Sequence, residues 1–134
     1  MSADVNIKTV QAIYDAIGRA DGQFILDNCT EDVDWATDTS STAAPWYGVR
    51  HGKEPVAAFF MDFGAAMEVH TFEPFSFTAN DDEVHTMVRL VATRRANGES
   101  MSMNLHHFFQ FRDGRVCFYR GTEDTAQTAA VFSV

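Results

Sequence analysis

The sequence is poor in cysteine and in basic residues, and it has no long hydrophobic run. Its two cysteines, Cys29 and Cys117, lie far apart without CxxC spacing, which speaks against a disulfide framework or a zinc site and indicates buried thiols in a reducing compartment. Nineteen acidic residues against ten Lys and Arg give a formal net charge of -9. Such a chain repels phosphate backbones, so no nucleic-acid partner is expected.

Membrane segments and targeting signals are also missing from the sequence. No stretch approaches the roughly 20 consecutive apolar residues of a membrane helix, and no basic amphipathic segment suggests a membrane surface. The N-terminus has no apolar run typical of a signal peptide. We therefore expect a cytoplasmic protein without a membrane partner.

The apolar residues that are present follow two periods, helical first and strand-like later. One domain spanning residues 1–134 is expected at this length. Helical spacing predicts helices over residues 5–20, over 23–29 and from Pro55 onward, and strand spacing covers 69–78, 83–95 and 101–121. A short strand around Val33, a long loop over 37–53 and a short helix near Glu123 complete an α+β layout.

Residues 101–121 form the most informative segment, because they predict two strands joined by an Asp113-Gly114 turn. On the first strand, methionine, leucine and phenylalanine alternate with polar residues, and His107 falls on the apolar face. Burial there would keep the ring neutral, with a pKa below about 6.5. His107 is then either the polar centre of a cavity or a core histidine bonded to a backbone carbonyl.

The opposite face of these strands carries aromatic bulk as well. Phe108 and Phe118 point away from His107 by strict alternation, and so does Val116. Isolated exposed aromatics are common on protein surfaces. We favour the alternative that this outer face forms the interface of a symmetric homodimer.

Five segments carry a family resemblance, which covers almost the whole chain: IYDAIGRADGQFI, EDVDW, WYGVRHGKEPVAAFF, HHFFQFRDGRV and EDTA. In this order and spacing they resemble the SnoaL-like branch of the nuclear-transport-factor-2-like superfamily, which includes the ketosteroid isomerases. The resemblance implies a cystatin-like α+β fold. In it a curved, mixed or antiparallel sheet forms a conical barrel around three helices and an apolar pocket, and dimers pack sheet to sheet.

The resemblance also implies three catalytic candidates. Ketosteroid isomerase uses an aspartate base, with a tyrosine and a protonated aspartate as oxyanion donors. By position, Tyr14 matches the tyrosine and His107 stands where the protonated acid would be. The base position falls on Thr37, which makes its neighbour Asp38 the best available carboxylate, although Asp38 and Thr39 also suit an ordinary turn.

Further residues are expected to bind the ligand. Trp35, Trp46 and Tyr47 would cover a flat apolar molecule or, alternatively, anchor the loop. Phe60, Leu90 and Tyr119 would line the pocket side of their elements, and Glu123 would either face the cavity end or stabilise a helix N-terminus.

No metal or cofactor is expected. His106 and His107 are adjacent on a strand, so their rings point to opposite faces, and the other histidines show no ligand spacing. No GxGxxG, phosphate loop or nucleophile elbow is present. The expected function is cofactor-independent acid–base chemistry on a small apolar carbonyl compound, such as isomerisation, cyclisation or dehydration. The alternative is a binding or oligomerisation module without catalysis.

Overall fold

The computed structural model describes residues 2–133, which form four helices and six strands. The helices are α1 (Ala3–Gly18), α2 (Gly22–Asp27), α3 (Lys53–Ala66) and α4 (Thr125–Phe132). The strands are β1 (Cys29–Thr37), β2 (Arg50–His51), β3 (Met67–Ala79), β4 (Glu83–Arg94), β5 (Ser100–Arg112) and β6 (Arg115–Thr122).

The helix boundaries follow local capping chemistry. The Ser2 side chain accepts a hydrogen bond from the Val5 N–H at the start of α1, and the Asp21 side chain accepts one from Phe24 at the start of α2. Helix α3 begins after Gly52, whose φ of 88° suits glycine, and Pro55 lies in its first turn. None of the helices within residues 2–133 is long and apolar enough to cross a membrane.

The strands form one mixed sheet in the order β2-β1-β6-β5-β4-β3. Strands β1 and β6 are parallel, and the other neighbours are antiparallel. This arrangement confirms the α+β class. The sheet stays open within the described part of the chain, since β2 and β3 form its two edges.

The predicted hairpin between β5 and β6 is present, and a bulge changes its register. Asp113 and Gly114 both have positive φ, as a tight two-residue turn requires. Phe111 pairs with Val116, whereas Gln110 pairs with Phe118, so Cys117 is an extra residue on β6.

The bulge explains why two expectations from the sequence were wrong. Val116 is fully buried in the core and does not face outward with Phe118. Cys117 is only half-buried, and its thiol donates to the Gln110 carbonyl on the other side of the hairpin, whereas Cys29 is buried as predicted. One inserted residue reverses the faces of the residues that precede it, because the side-chain period of a strand is two.

The core lies between α1–α3 and one face of the sheet. Alternate residues of β4 and β5 are buried there, as predicted: Val84, Thr86, Val88, Leu90, Ala92, Met101, Met103, Leu105, His107 and Phe109. On the outer face, Phe108 and Phe118 are half-buried with ring centroids 6.1 Å apart, and the Arg120 guanidinium lies over the Phe118 ring. Pairing of two chains through this outer face remains a prediction.

Candidate functional site

A cavity of about 770 Å³ opens between the inner face of the sheet and helices α1–α3. Its volume is in the range of small-molecule sites. Most of its wall is apolar, with a large aromatic share: Trp35, Trp46, Phe59, Phe60, Phe63 and Phe72. Polar groups are few, and the chemistry of the site therefore depends on how each of them is hydrogen-bonded.

His107 lies in the cavity wall and is held by a chain of hydrogen bonds. The Tyr14 hydroxyl lies 2.8 Å from His107 Nδ1 and 2.6 Å from the Thr86 hydroxyl, and all three side chains are buried. The chain joins α1 to β4 and β5, where Thr86 and His107 are direct cross-strand neighbours.

Burial keeps the ring of His107 and the hydroxyl of Tyr14 uncharged. It lowers the pKa of His107 to about 3, with a smaller contribution from the charge of His106. It raises the pKa of Tyr14 well above its usual value, against an opposing effect of the bond with Thr86. The expectation of a neutral His107 agrees with this environment.

The hydrogen-bond chain assigns the proton on His107. Among the described residues the Thr86 hydroxyl has no partner except Tyr14, so its proton is satisfied only if Thr86 donates to the Tyr14 oxygen. Tyr14 then donates to His107 Nδ1, which leaves the ring proton on Nε2. Nε2 has no hydrogen-bond partner within residues 2–133, and the atom is not fully buried. It therefore presents an N–H group to the cavity.

Tyr119 lies beside His107 on the neighbouring strand. Its ring stacks on Trp35 with centroids 4.0 Å apart, and it lies 5.3 Å from the His107 ring. Burial raises the pKa of Tyr119 well above its usual value, with further contributions from Tyr14 and Glu123. The hydroxyl thus stays protonated and can donate.

Glu123 is a carboxylate of the cavity wall, and three donors already engage it. It accepts hydrogen bonds from Trp46 Nε1 (3.2 Å), from the Tyr47 hydroxyl (2.7 Å) and from the Thr128 hydroxyl (2.6 Å). These bonds connect the loop after β1 to α4. Trp46 is also buried against Phe63 and Phe132, which favours loop anchoring over a mobile cover for this tryptophan.

Most residues predicted for the site meet at the cavity. Its wall includes His107 and Tyr14 and five of the six expected ligand contacts: Trp35, Trp46, Phe60, Leu90 and Tyr119. Tyr47 is not in the wall, and its hydroxyl donates to Glu123.

Asp38 also lies outside the cavity wall, which corrects its expected position as a carboxylate near the mouth of the pocket. Its side chain is exposed, and Thr37, one residue earlier, lines the cavity. The Asp38 N–H donates to the Gly121 carbonyl at 2.6 Å, which continues the parallel pairing of β1 with β6. A side chain at the next position of an extended strand points the other way.

Sequence reasoning did not single out Thr86 or Gly121. Both pair directly with His107, on β4 and β6 respectively. The strand register would have identified them, but the sequence alone does not fix it. No group of three His, Cys, Asp or Glu side chains in the described part of the chain is arranged to hold a metal ion.

Comparison with known protein families matches residues 10–119 to the SnoaL-like domain. Comparison with curated proteins gives no match. Among solved structures, an NTF2-like protein from Burkholderia xenovorans LB400 is 22% identical, with a TM-score of 0.89 over 99% of each chain.

Two other similar structures carry the names of enzymes. A provisionally assigned polyketide cyclase from Xanthomonas campestris is 19% identical, with a TM-score of 0.80, over 99% of this chain and 100% of that chain. An LEH-like epoxide hydrolase from M. tuberculosis is 13% identical, with a TM-score of 0.75, over 97% of this chain and 90% of that chain. At these identities the likeness shows the shared fold.

Proposed function

The chain belongs to the SnoaL-like domain family, and from this premise we propose that it is a cofactor-independent acid–base enzyme. Its substrate would be a small apolar carbonyl compound bound in the cavity, and the reaction an isomerisation, an aldol-type cyclisation or a dehydration. One observation carries the proposal: a neutral histidine, fixed by a buried tyrosine, presents a free N–H to an apolar cavity.

His107 would polarise the carbonyl group of the substrate. Its Nε2–H would donate to the carbonyl oxygen and stabilise the negative charge that develops there as a proton leaves the neighbouring carbon. Tyr14 supports this role by donating to Nδ1, since successive hydrogen bonds polarise one another. Apolar walls strengthen the effect by excluding water.

Proton abstraction would fall to a carboxylate of the cavity wall. Asp21 and Glu123 are the two aspartate or glutamate residues of that wall within residues 2–133. Asp21 caps α2 and pairs with Arg19 at an exposed position, which leaves Glu123 as the better candidate for the base.

A second candidate function, binding without catalysis, has its own supporting observation. The oxygens of Glu123 already accept three hydrogen bonds. A carboxylate has about four acceptor positions, so these three bonds leave about one for a substrate proton. It lies on Oε1, which within residues 2–133 accepts only from Trp46. If that position does not reach the reacting carbon, the cavity would hold a carbonyl ligand without converting it.

A ligand screen followed by a proton-exchange assay tests the proposal. Planar ketones, steroids and polyketide-like aromatics would be screened by thermal shift on the wild type, on His107→Phe and on His106→Gln, which removes an exposed histidine of the same strand. A ligand at 100 times its Kd should stabilise by about 2.7 kcal/mol. Ketones that bind would then be followed by NMR in D₂O without added cofactor.

The assay separates the two candidates. The enzyme is supported if the protons next to the carbonyl group exchange in the wild type and in His106→Gln but not in His107→Phe. Binding that needs His107 without any exchange supports the binding module. Ketone binding that is unchanged in His107→Phe contradicts both.

The proposal includes a homodimer formed through the outer face of the sheet. Phe108 and Phe118 supply apolar area there, and Arg120 lies over the Phe118 ring and 2.7 Å from an Asp34 carboxylate oxygen. Phe118→Asp should convert a dimer into a monomer in light scattering. A monomeric wild type would refute this part.

A further inference from the structure

We propose that Tyr119 is a second hydrogen-bond donor to the carbonyl oxygen of the ligand, and that Gly121 is the positioning residue that places the Tyr119 hydroxyl beside His107. The inference rests on the proposed function, since it concerns the same ligand oxygen. It adds a donor and a positioning residue whose contribution can be measured separately from that of His107.

The Tyr119 hydroxyl is the unsatisfied one among three tyrosines. The Tyr14 hydroxyl bonds to Thr86 and His107, and the Tyr47 hydroxyl bonds to Glu123. The Tyr119 hydroxyl has no hydrogen-bond partner within residues 2–133, although only 5% of the residue is exposed. The hydroxyl oxygen itself is not fully buried. Buried hydroxyl groups are normally paired, so an unpaired one in a cavity wall indicates a partner that comes from outside the chain.

Gly121 provides the space that this hydroxyl occupies. A Cβ atom built on Gly121 would overlap the Tyr119 hydroxyl oxygen, and it would lie 3.0 Å from Tyr119 Cζ and 3.2 Å from His107 Cδ2. The hydroxyl therefore lies over the backbone of Gly121, next to the edge of the His107 ring at Cδ2, the carbon that joins Cγ to Nε2. Any side chain at this position would push the two donors apart or displace the tyrosine.

The ring of Tyr119 is fixed from several sides. Trp35 stacks on it with an interplanar angle of 20°, and the Phe109 centroid lies 5.0 Å away. Trp35 is itself packed edge-on against Phe60 at 5.4 Å. A ring held in this way keeps its hydroxyl in place without a hydrogen bond, which preorganises the donor for a ligand.

Two neighbouring donors indicate the chemical class of the ligand group. His107 Nε2–H and the Tyr119 hydroxyl can both donate to one oxygen that has two lone pairs. A ketone oxygen has this capacity, and the enolate oxygen formed from it is a stronger acceptor of the same two bonds. The site is thus suited to an apolar ketone whose oxygen points toward Gly121.

A matched pair of probes tests the inference. 2-Acetylnaphthalene carries the ketone, and 2-ethylnaphthalene has a similar shape without the oxygen. Their Kd values would be measured by calorimetry for the wild type, Tyr119→Phe, Gly121→Ala, the double variant and His107→Phe. The ratio of the two affinities reports the hydrogen bonds and cancels changes in cavity shape.

The wild type should prefer the ketone, and Tyr119→Phe should reduce this preference about fivefold, the effect expected for one hydrogen bond. Gly121→Ala should reduce the preference to a similar extent. The double variant should lose no more than Tyr119→Phe alone, because both changes remove the same bond. The carbonyl stretch of the bound ketone should shift to higher frequency in Tyr119→Phe.

Other results would overturn the inference. A full ketone preference in Tyr119→Phe that is lost in His107→Phe refutes the role of Tyr119 and leaves the proposed function intact. No ketone preference in the wild type refutes both. If Gly121→Ala does not fold, the thermal unfolding of Tyr119→Phe provides the test. A melting temperature at or above that of the wild type supports an unpaired Tyr119 hydroxyl. A loss as large as that of Tyr14→Phe means that the hydroxyl has an internal partner, and the inference fails.

Discussion

Mild acid should destabilise this protein through His107. In the folded state burial lowers its pKa to about 3, whereas the ring has a pKa of about 6.5 in the unfolded chain. Between these values the unfolded chain binds a proton that the folded protein does not. The free energy of unfolding must therefore fall as the pH falls below about 6.5. Above that value the ring is neutral in both states and contributes no pH dependence.

The size of the effect follows from the same two values. At pH 5 the unfolded histidine is almost fully protonated and the folded one is neutral. Each unit below about 6.5 costs about 1.36 kcal/mol, which gives a loss of about 2 kcal/mol at pH 5. This is a large part of the stability of a domain of this size, which is typically 5–15 kcal/mol.

Urea unfolding at pH 7.5 and pH 5.0 measures this loss. The wild type also titrates through its carboxylates, so the comparison is with His107→Phe, which keeps them all. The wild type should lose about 2 kcal/mol more than His107→Phe between the two pH values. His106→Gln, which removes an exposed histidine, should behave as the wild type does. Equal pH dependence in the wild type and His107→Phe would refute the idea that a neutral, buried ring is held in the folded state.

Three further predictions follow from the hydrogen bonds of the site. Tyr14→Phe should lower the free energy of unfolding in urea by about 1–3 kcal/mol because it removes two buried bonds, whereas Tyr119→Phe should leave it unchanged or raise it. Glu123→Ala should leave buried donors on Trp46 and other neighbours unpaired, lower stability by about 2 kcal/mol and expose the loop after β1 to limited proteolysis. Asp38→Ala should change neither ketone affinity nor α-proton exchange by more than about twofold, since this exposed side chain lies outside the cavity wall.

The fold was accessible from the sequence wherever the side-chain period is uninterrupted. Strands β4 and β5 alternate without a break over the region of His107, so the buried face was assigned correctly, and the α+β class followed from the order of the periods. The bulge at Cys117 was not accessible in this way. It depends on how the two strands of the hairpin settle after the Asp113-Gly114 turn, and no residue type near it is diagnostic.

The sequence predicted those features of the site that depend on a single residue. His107 and Tyr14 were identified, the latter only through the family resemblance. The hydrogen bond of Tyr14 to Thr86 depends on how α1 packs against β4. The bonds of Glu123 depend on the path of the loop after β1. Asp38 follows Thr37, which lines the cavity. Because neighbouring side chains of an extended strand face opposite sides, a shift of one residue places Asp38 outside it.

The hydrogen-bonding state of the cavity groups bears on which reaction is feasible. Buried wall groups without a hydrogen-bond partner within residues 2–133 include His107 Nε2–H and the hydroxyls of Tyr119 and Thr37. The carboxylate of Glu123 accepts from three donors. Such a site stabilises negative charge on a substrate oxygen more readily than it removes a proton. In the proposed reaction, a substrate with an acidic C–H bond demands little of the base and benefits fully from the donors, whereas a weakly acidic one depends on the remaining acceptor position of Glu123 Oε1. The distance between that oxygen and the bound ligand would therefore decide whether the cavity only holds a ketone or also converts it.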